Sequence, residues 1–155
     1  MFIPNILITN FCNQSCSYCF ARDLMLNSKL PKEMEIKDFE KFLDNIKTKK
    51  NVIPIVKLFG GEPTLHSRFD EFVKLALEKF SFVHIFTNGI IPDKKITKLR
   101  QYFSRINFMI NMQTPGFNYN PKIQKVVIER IKKLSLETNV TLSINIYFGI
   151  QIDKI

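Results

Sequence analysis

The sequence predicts an α/β fold built on parallel strands. Three observations carry that expectation. Five short apolar runs alternate with four stretches whose apolar residues recur at helical spacing. Alternation of this kind implies a parallel sheet with right-handed crossovers. The residues most suggestive of chemistry also fall in the loops after the first three runs. In parallel α/β sheets a ligand sits outside the carboxyl ends of the strands, so those loops share one edge.

Taken in order, Phe2 to Thr9 is an apolar run ending at a cysteine-bearing loop and reads as a buried strand. From Ile36 to Lys47, Phe39, Phe42, Leu43 and Ile46 form a helical stripe. Val52 to Phe59 is a second strand, closed by Gly60-Gly61. Arg68 to Phe80 is a helix whose stripe is Phe69, Phe72, Val73, Ala76, Leu77 and Phe80. Phe82 to Thr87 is a third strand ended by Asn88-Gly89, and Asp93 to Phe103 a helix started by Pro92-Asp93. Ile106 to Met112 is the fourth strand. Asn120-Pro121 supplies N-cap and first turn of a helix running to about Glu137, and Val140 to Phe148 is the fifth strand.

Composition bounds the function. The 155 residues make one domain, 1–155, and 45% of them are apolar, enough for a core and too many for a disordered tail. No apolar run approaches the ~18 residues of a membrane span, so a soluble chain without a membrane partner is expected. The N-terminus lacks a positive n-region and a small-residue cleavage site, which points to the cytoplasm. Lys plus Arg number 23 and Asp plus Glu 14, so the net charge is +9. The lysines, among them Lys47, Lys94, Lys95, Lys98, Lys125 and Lys132, read as solvated helix faces. No basic stripe interleaved with aromatics appears, so nucleic acid is not the expected partner. The sequence leaves the oligomeric state open.

All three cysteines fall within eight residues: Cys12, Cys16 and Cys19, spaced C-x3-C-x2-C. Three thiols cannot pair internally, and clustered cysteines in a reducing compartment read as a metal or cluster site. Zinc in a closed structural site wants four N or S ligands. No fourth Cys exists, and His66 and His84 are distant in sequence, although either could reach back in space. A [4Fe–4S] cluster also usually takes four thiolates, and three would leave one iron open, as catalytic metal sites are.

The segment Cys12-Asn-Gln-Ser-Cys16-Ser-Tyr-Cys19 resembles the C-x3-C-x-aromatic-C signature of radical S-adenosylmethionine (SAM) enzymes, with Tyr18 in the aromatic position. Phe59-Gly60-Gly61-Glu62-Pro63 resembles that family's GGEP turn, and Thr87-Asn88-Gly89 a turn common after its third strand. The resemblance covers nearly the whole chain. It implies a partial TIM-type (β/α) barrel, of which about five β/α units are present. It also implies that Cys12, Cys16 and Cys19 hold three irons of a [4Fe–4S] cluster while SAM chelates the fourth. Electron transfer would then break the sulfonium bond and release a 5′-deoxyadenosyl radical that abstracts hydrogen from substrate. An electron donor of flavodoxin or ferredoxin type is implied as a partner. Gly60 and Gly61, shaped by Glu62 and Pro63, would bind the SAM amino group, and Tyr18 would lie against the adenine.

Strand parity adds further candidates. Asn107, Met109, Asn111 and Gln113 share one face of the fourth strand, and Thr141, Ser143, Asn145 and Tyr147 one face of the fifth. A polar row on a buried strand is costly without partners or a ligand, so both rows are expected to face the barrel lumen. Where the family often carries Ser and Asp near the end of strand four, this chain has Asn111 and Gln113. These two, Asn88 and Asn145 complete the expected SAM contacts. Neither His66 nor His84 is assigned a catalytic role; His84, in mid-strand, reads as a packed histidine.

Full (β/α)8 barrels take roughly 250 residues. This chain stops just after the fifth predicted strand, so the closing C-terminal element is expected to be absent, and the fragment could be inactive alone. By resemblance to peptide-maturing members, the expected substrate is a peptide or protein. A glycyl-radical-enzyme activase and a non-catalytic metal-binding scaffold on the same fold stay open as alternatives.

Overall fold

A computed structural model describes residues 2–16, 18–23, 29, 31–112 and 120–144. Its centre is one five-stranded sheet in the order β1-β2-β3-β4-β5, with every neighbouring pair parallel. The strands are β1 (Asn5–Leu7), β2 (Ile55–Phe59), β3 (Phe82–Thr87), β4 (Ile106–Met112) and β5 (Asn139–Ile144). The helices between them are α1 (Ile36–Lys47), α2 (Phe69–Lys79), α3 (Asp93–Leu99) and α4 (Pro121–Ser135). The predicted alternation is therefore present, and the strand order equals the chain order, as in a barrel wall.

Differences from the sequence expectation have local causes. The ladder of β1 is three residues long because Pro4, which lacks an N–H, precedes it; Phe2 and Thr9 form only isolated bridges, to Val52 and Glu33. Pro54 shortens β2 in the same way, and Val52 stays outside it. The third helix ends at Leu99 and continues as a 3-10 segment, Arg100–Arg105. The predicted residues 145–148 of strand five lie outside the described residues.

The helices form as their sequences dictate. In α1, Phe39, Leu43 and Ile46 are buried, whereas Phe42, at the stripe's edge, is 43% exposed. In α2 the predicted stripe is buried, with Asp70 and Glu71 in the first turn and Lys79 in the last, each matched to the helix dipole. Helix α4 is capped by the Asn120 side chain, which accepts from the Lys122 and Ile123 N–H groups, and Pro121 fills N1.

Side-chain parity divides the sheet into two faces. Ile6, Val56, Leu58, Val83, Ile85, Phe108 and Ile110 point to the helices and are buried there. Against them pack Phe39 of α1 and Phe72 of α2, whose rings lie 4.6 Å apart. The opposite, inner face carries Lys57, Phe59, His84, Phe86, Asn107, Met109 and Asn111, only partly covered. Both predicted polar rows that are described lie on it: Asn107 donates to Thr141 Oγ1 at 3.0 Å, and Asn111 pairs in register with Ser143.

Candidate functional site

The site is built where β1, β2 and β3 end. After β2 the chain turns through Gly60-Gly61 and runs beside the cysteine loop. The Gly61 N–H donates to Thr9 O at 2.9 Å and the Glu62 N–H to Phe11 O at 2.6 Å. Both glycines are demanded by this approach. A Cβ on Gly60 would stand 2.9 Å from Thr9 Cγ2, and one on Gly61 2.8 Å from Cys12 Cβ. Their missing side chains let two backbones meet. The turn thereby seats the cysteine loop, and both glycines also line the cavity beside it.

Glu62 locks the arrangement from below. It is fully buried, and its carboxylate accepts from Thr64 N–H (3.2 Å), Thr64 Oγ1 (2.7 Å), Thr87 Oγ1 (2.9 Å) and Asn88 N–H (2.8 Å). It thereby joins the turn after β2 to the end of β3. Burial pushes its carboxyl up, and the donors from Asn88, Thr64 and Thr87 offset only part of that. Asn88 extends the link: its side-chain Nδ2 donates to Asn13 Oδ1 at 2.7 Å and lies 3.9 Å from Cys12 Sγ. Asn13 in turn donates to Ile90 O. Gly89, with φ +83°, completes the turn and faces Val127 of α4.

Cys12, Cys16 and Cys19 are free thiols, half-buried, and all three line one cavity. Gly60, Gly61, Tyr18, Asn88 and Asn111 line it too. Glu62 and Pro63 are buried beside it and do not line it. Gln113 and Asn145 lie outside the described residues. Sequence reasoning placed Met109 and Ser143 on the lumen face and missed the rest of the cavity's far walls. Phe59 and Phe86, stacked at 4.1 Å, form one, with Phe20 edge-on to Phe59. Met109, Ser143 and, from α4, Ile123, Gln124 and Val127 form the other. Parity on β2 and β3 could have revealed the aromatic pair; nothing local marks the α4 residues.

The donor set bears on what the cavity holds. Burial pushes the Cys12 thiol up, and Glu62, Cys16 and Cys19 add to this, against one lowering contact from the Gln14 N–H. Among the described residues that line the cavity there is no Lys, Arg, His, Asp or Glu. Three soft sulfur donors without a protein counter-cation suit a cationic, thiophilic group, and amides with an aromatic wall suit an organic ligand beside it. Among the described residues no three His, Cys, Asp or Glu side chains are placed to hold a metal ion. All three thiols nonetheless line the same cavity, and a [4Fe–4S] cluster takes one thiolate per iron.

Neither histidine completes a closed zinc site. His66 is buried and engaged on both nitrogens: Nδ1 accepts from Arg68 N–H at 3.0 Å, and Nε2 donates to Met34 O at 3.1 Å. Glu33 lies 3.9 Å from Nδ1, too far to displace that bond. His84 stands on the inner face beside Lys57. Lys95, expected on a solvated face, is buried and donates to His66 O (2.9 Å) and Ser67 O (2.8 Å), which pins α3 to the segment after the turn. Its sequence neighbours Lys94 and Lys98 conceal this.

A parallel sheet of consecutive strands, a cysteine-bearing loop after the first and a Gly-Gly turn after the second define the core of a known superfamily. Residues 6–153 match the model of the radical SAM superfamily, and the chain belongs to it. Among curated proteins it is 30% identical over 147 residues to the 7,8-dihydro-6-hydroxymethylpterin dimethyltransferase of Methanocaldococcus jannaschii, covering 88% of this chain and 28% of that one. It is 25% identical to the sporulation killing factor maturation protein SkfB of Bacillus subtilis, covering 89% and 34%. Among solved structures it resembles Streptococcus suis SuiB bound to S-adenosylmethionine, with TM-score 0.73, 19% identity, and coverage of 98% and 35%. SuiB bound to its precursor peptide SuiA gives a TM-score of 0.69. The fold is thus that of the radical SAM partial barrel, in a superfamily of enzymes. The chain spans about a third of the length of these relatives. No helix among the described residues is long and apolar enough to cross a membrane.

Proposed function

We propose that residues 1–155 form the cofactor-binding core of a radical SAM enzyme acting on a peptide or protein. Cys12, Cys16 and Cys19 hold three irons of a [4Fe–4S] cluster and leave the fourth for SAM. The observation that carries this reading is the shared cavity: three thiols, the Gly-Gly turn and Asn88 meet in a lining that, among the described residues, has no charged side chain. When bound and reduced, the cluster supplies the electron that splits SAM into methionine and a 5′-deoxyadenosyl radical. The residues do the positioning. Glu62 and Asn88 hold the cysteine loop against β3, Gly60-Gly61 backs it, and Tyr18 and Asn111 flank the space for SAM. The stacked Phe59 and Phe86 keep water from one wall of the cavity. The relatives named for peptide maturation and solved with a precursor peptide support a peptide substrate. An external electron donor of flavodoxin or ferredoxin type completes the reading.

Anaerobic reconstitution with iron and sulfide tests it. The expected outcome is broad visible absorbance from a cluster, with 5′-deoxyadenosine released on adding SAM and reductant. Cys16→Ala is expected to lose both. Stoichiometric zinc without SAM cleavage, or normal iron in Cys16→Ala, would overturn the assignment.

A further inference from the structure

One polar row on the inner face has no part in the site above. Lys57 pairs in register with His84, and His84 with Asn107. They stand one layer below Phe59, Phe86 and Met109, which line the cavity, and none of the three lines it. All are half-buried.

Lys57 is the exception among the shielded lysines. Lys79 pairs with Asp44 and Lys95 with Asp70, whereas no carboxylate lies within ion-pair distance of Lys57 among the described residues. Its ammonium lies instead 5.6 Å from the centroid of the Phe86 ring, a wall of the cavity. Its neighbour His84 has a buried Nδ1 without a hydrogen-bond partner. A buried N–H without an acceptor costs more than a lone pair without a donor, so the proton sits on Nε2 and the ring acts as a donor there. Burial and then the Lys57 charge both hold that ring neutral. Asn107 is fixed beside it by Thr141 Oγ1 at 3.0 Å.

The row therefore offers one ammonium and one imidazole N–H, flanked by an amide, with no negative charge of its own. That pattern complements a group with one charge and two acceptor oxygens. A phosphate dianion is typically met by more charge, from Arg forks or a helix N-terminus, and neither is in this row. We propose that Lys57 and His84 form a subsite for a carboxylate of the substrate, with Asn107 as its side wall. This deepens the proposed function, on which it rests, by naming a carboxylate-bearing substrate, such as a peptide with an acidic side chain held below the cavity.

The test needs neither iron nor SAM, so its failure and that of the cluster reading are separable. The purified chain, 15N-labelled at its two histidines, is titrated with N-acetyl-glutamic acid α-amide, its neutral glutamine counterpart and inorganic phosphate at fixed ionic strength. Resonances of His66, sealed in the fold, serve as internal reference. The expected result is an Nε2–H ring at His84 whose signals shift saturably with the glutamate probe alone. Lys57→Met should weaken that binding about tenfold, and Lys57→Arg should largely restore it. An Nδ1–H ring, an equal response to the glutamine probe or unchanged affinity in Lys57→Met would overturn the proposal. Tighter binding of phosphate would overturn the carboxylate assignment. Should Lys57→Met not fold, the comparison of probes on the unmodified chain decides.

Discussion

Gly61 shows how much a single missing side chain can carry. Its N–H bonds to Thr9 O, and a Cβ added to it would stand 2.4 Å from Phe11 O and 2.8 Å from Cys12 Cβ. Gly61→Ala must push the cysteine loop away or distort the end of β2. Overpacking of this kind costs about 1–3 kcal/mol, so urea unfolding of Gly61→Ala should show a loss of that order. Its reconstituted iron content should fall as well; full iron with unchanged stability would show that the loop has room to spare. The role of Glu62 was legible only in outline. A Glu after Gly-Gly marks a turn motif, but its burial under Thr64, Thr87 and Asn88 depends on β3 arriving beside β2. Lys95 was misread for the same reason: its partners, the carbonyls of His66 and Ser67, are 29 and 28 residues away.

At the scale of elements, the ion pairs that clamp α3 to α2 are the instructive ones. Asp70 at the start of α2 meets Lys98 at 2.8 Å and Lys95 at 3.6 Å, both from α3. Burial alone would raise the Asp70 carboxyl, but the bond from Lys98, its own backbone N–H and the charges of Lys95 and Lys98 hold it below its ordinary value of 3.8. Lys95 itself is lowered, first by burial, and the carboxylate only partly offsets this. For a carboxyl depressed in the folded state, the added stability is present above the unfolded value and lost as pH falls through the folded one. Asp70→Asn should therefore cost about 0.5–1 kcal/mol at pH 7, and the gap from the native chain should close as pH drops below about 3.8. A gap that stays constant down to pH 2 in urea titrations would assign the effect to packing. Element types were readable from periodicity, and the Asn120 cap from two residues. Boundaries were not, where Pro4 and Pro54 interrupted apolar runs and where α3 tightened into a 3-10 segment.

For the whole molecule, the division between the two sheet faces governs what a substitution does. The helix-facing row is the core, and Ile85 has no exposed surface. The inner face is polar toward β4 and β5, and Ser143 there is exposed to the cavity. Ile85→Ala is expected to cost about 2–5 kcal/mol, while Ser143→Ala should stay within about 0.5 kcal/mol. Equal losses in chemical denaturation would mean that the inner face is as much a packing surface as the outer. By itself the sequence determined the alternation of strands and helices, the edge at which the loops gather and the cysteine spacing, because each follows from local pattern and chain order. Only the tertiary structure decided that the Gly-Gly turn seats the cysteine loop, that α4 closes the cavity's far side, and that Lys57 pairs in register with His84 with no carboxylate in ion-pair reach of Lys57 among the described residues. Those are contacts across more than 25 residues, set by strand register and helix seating, and no local pattern records them.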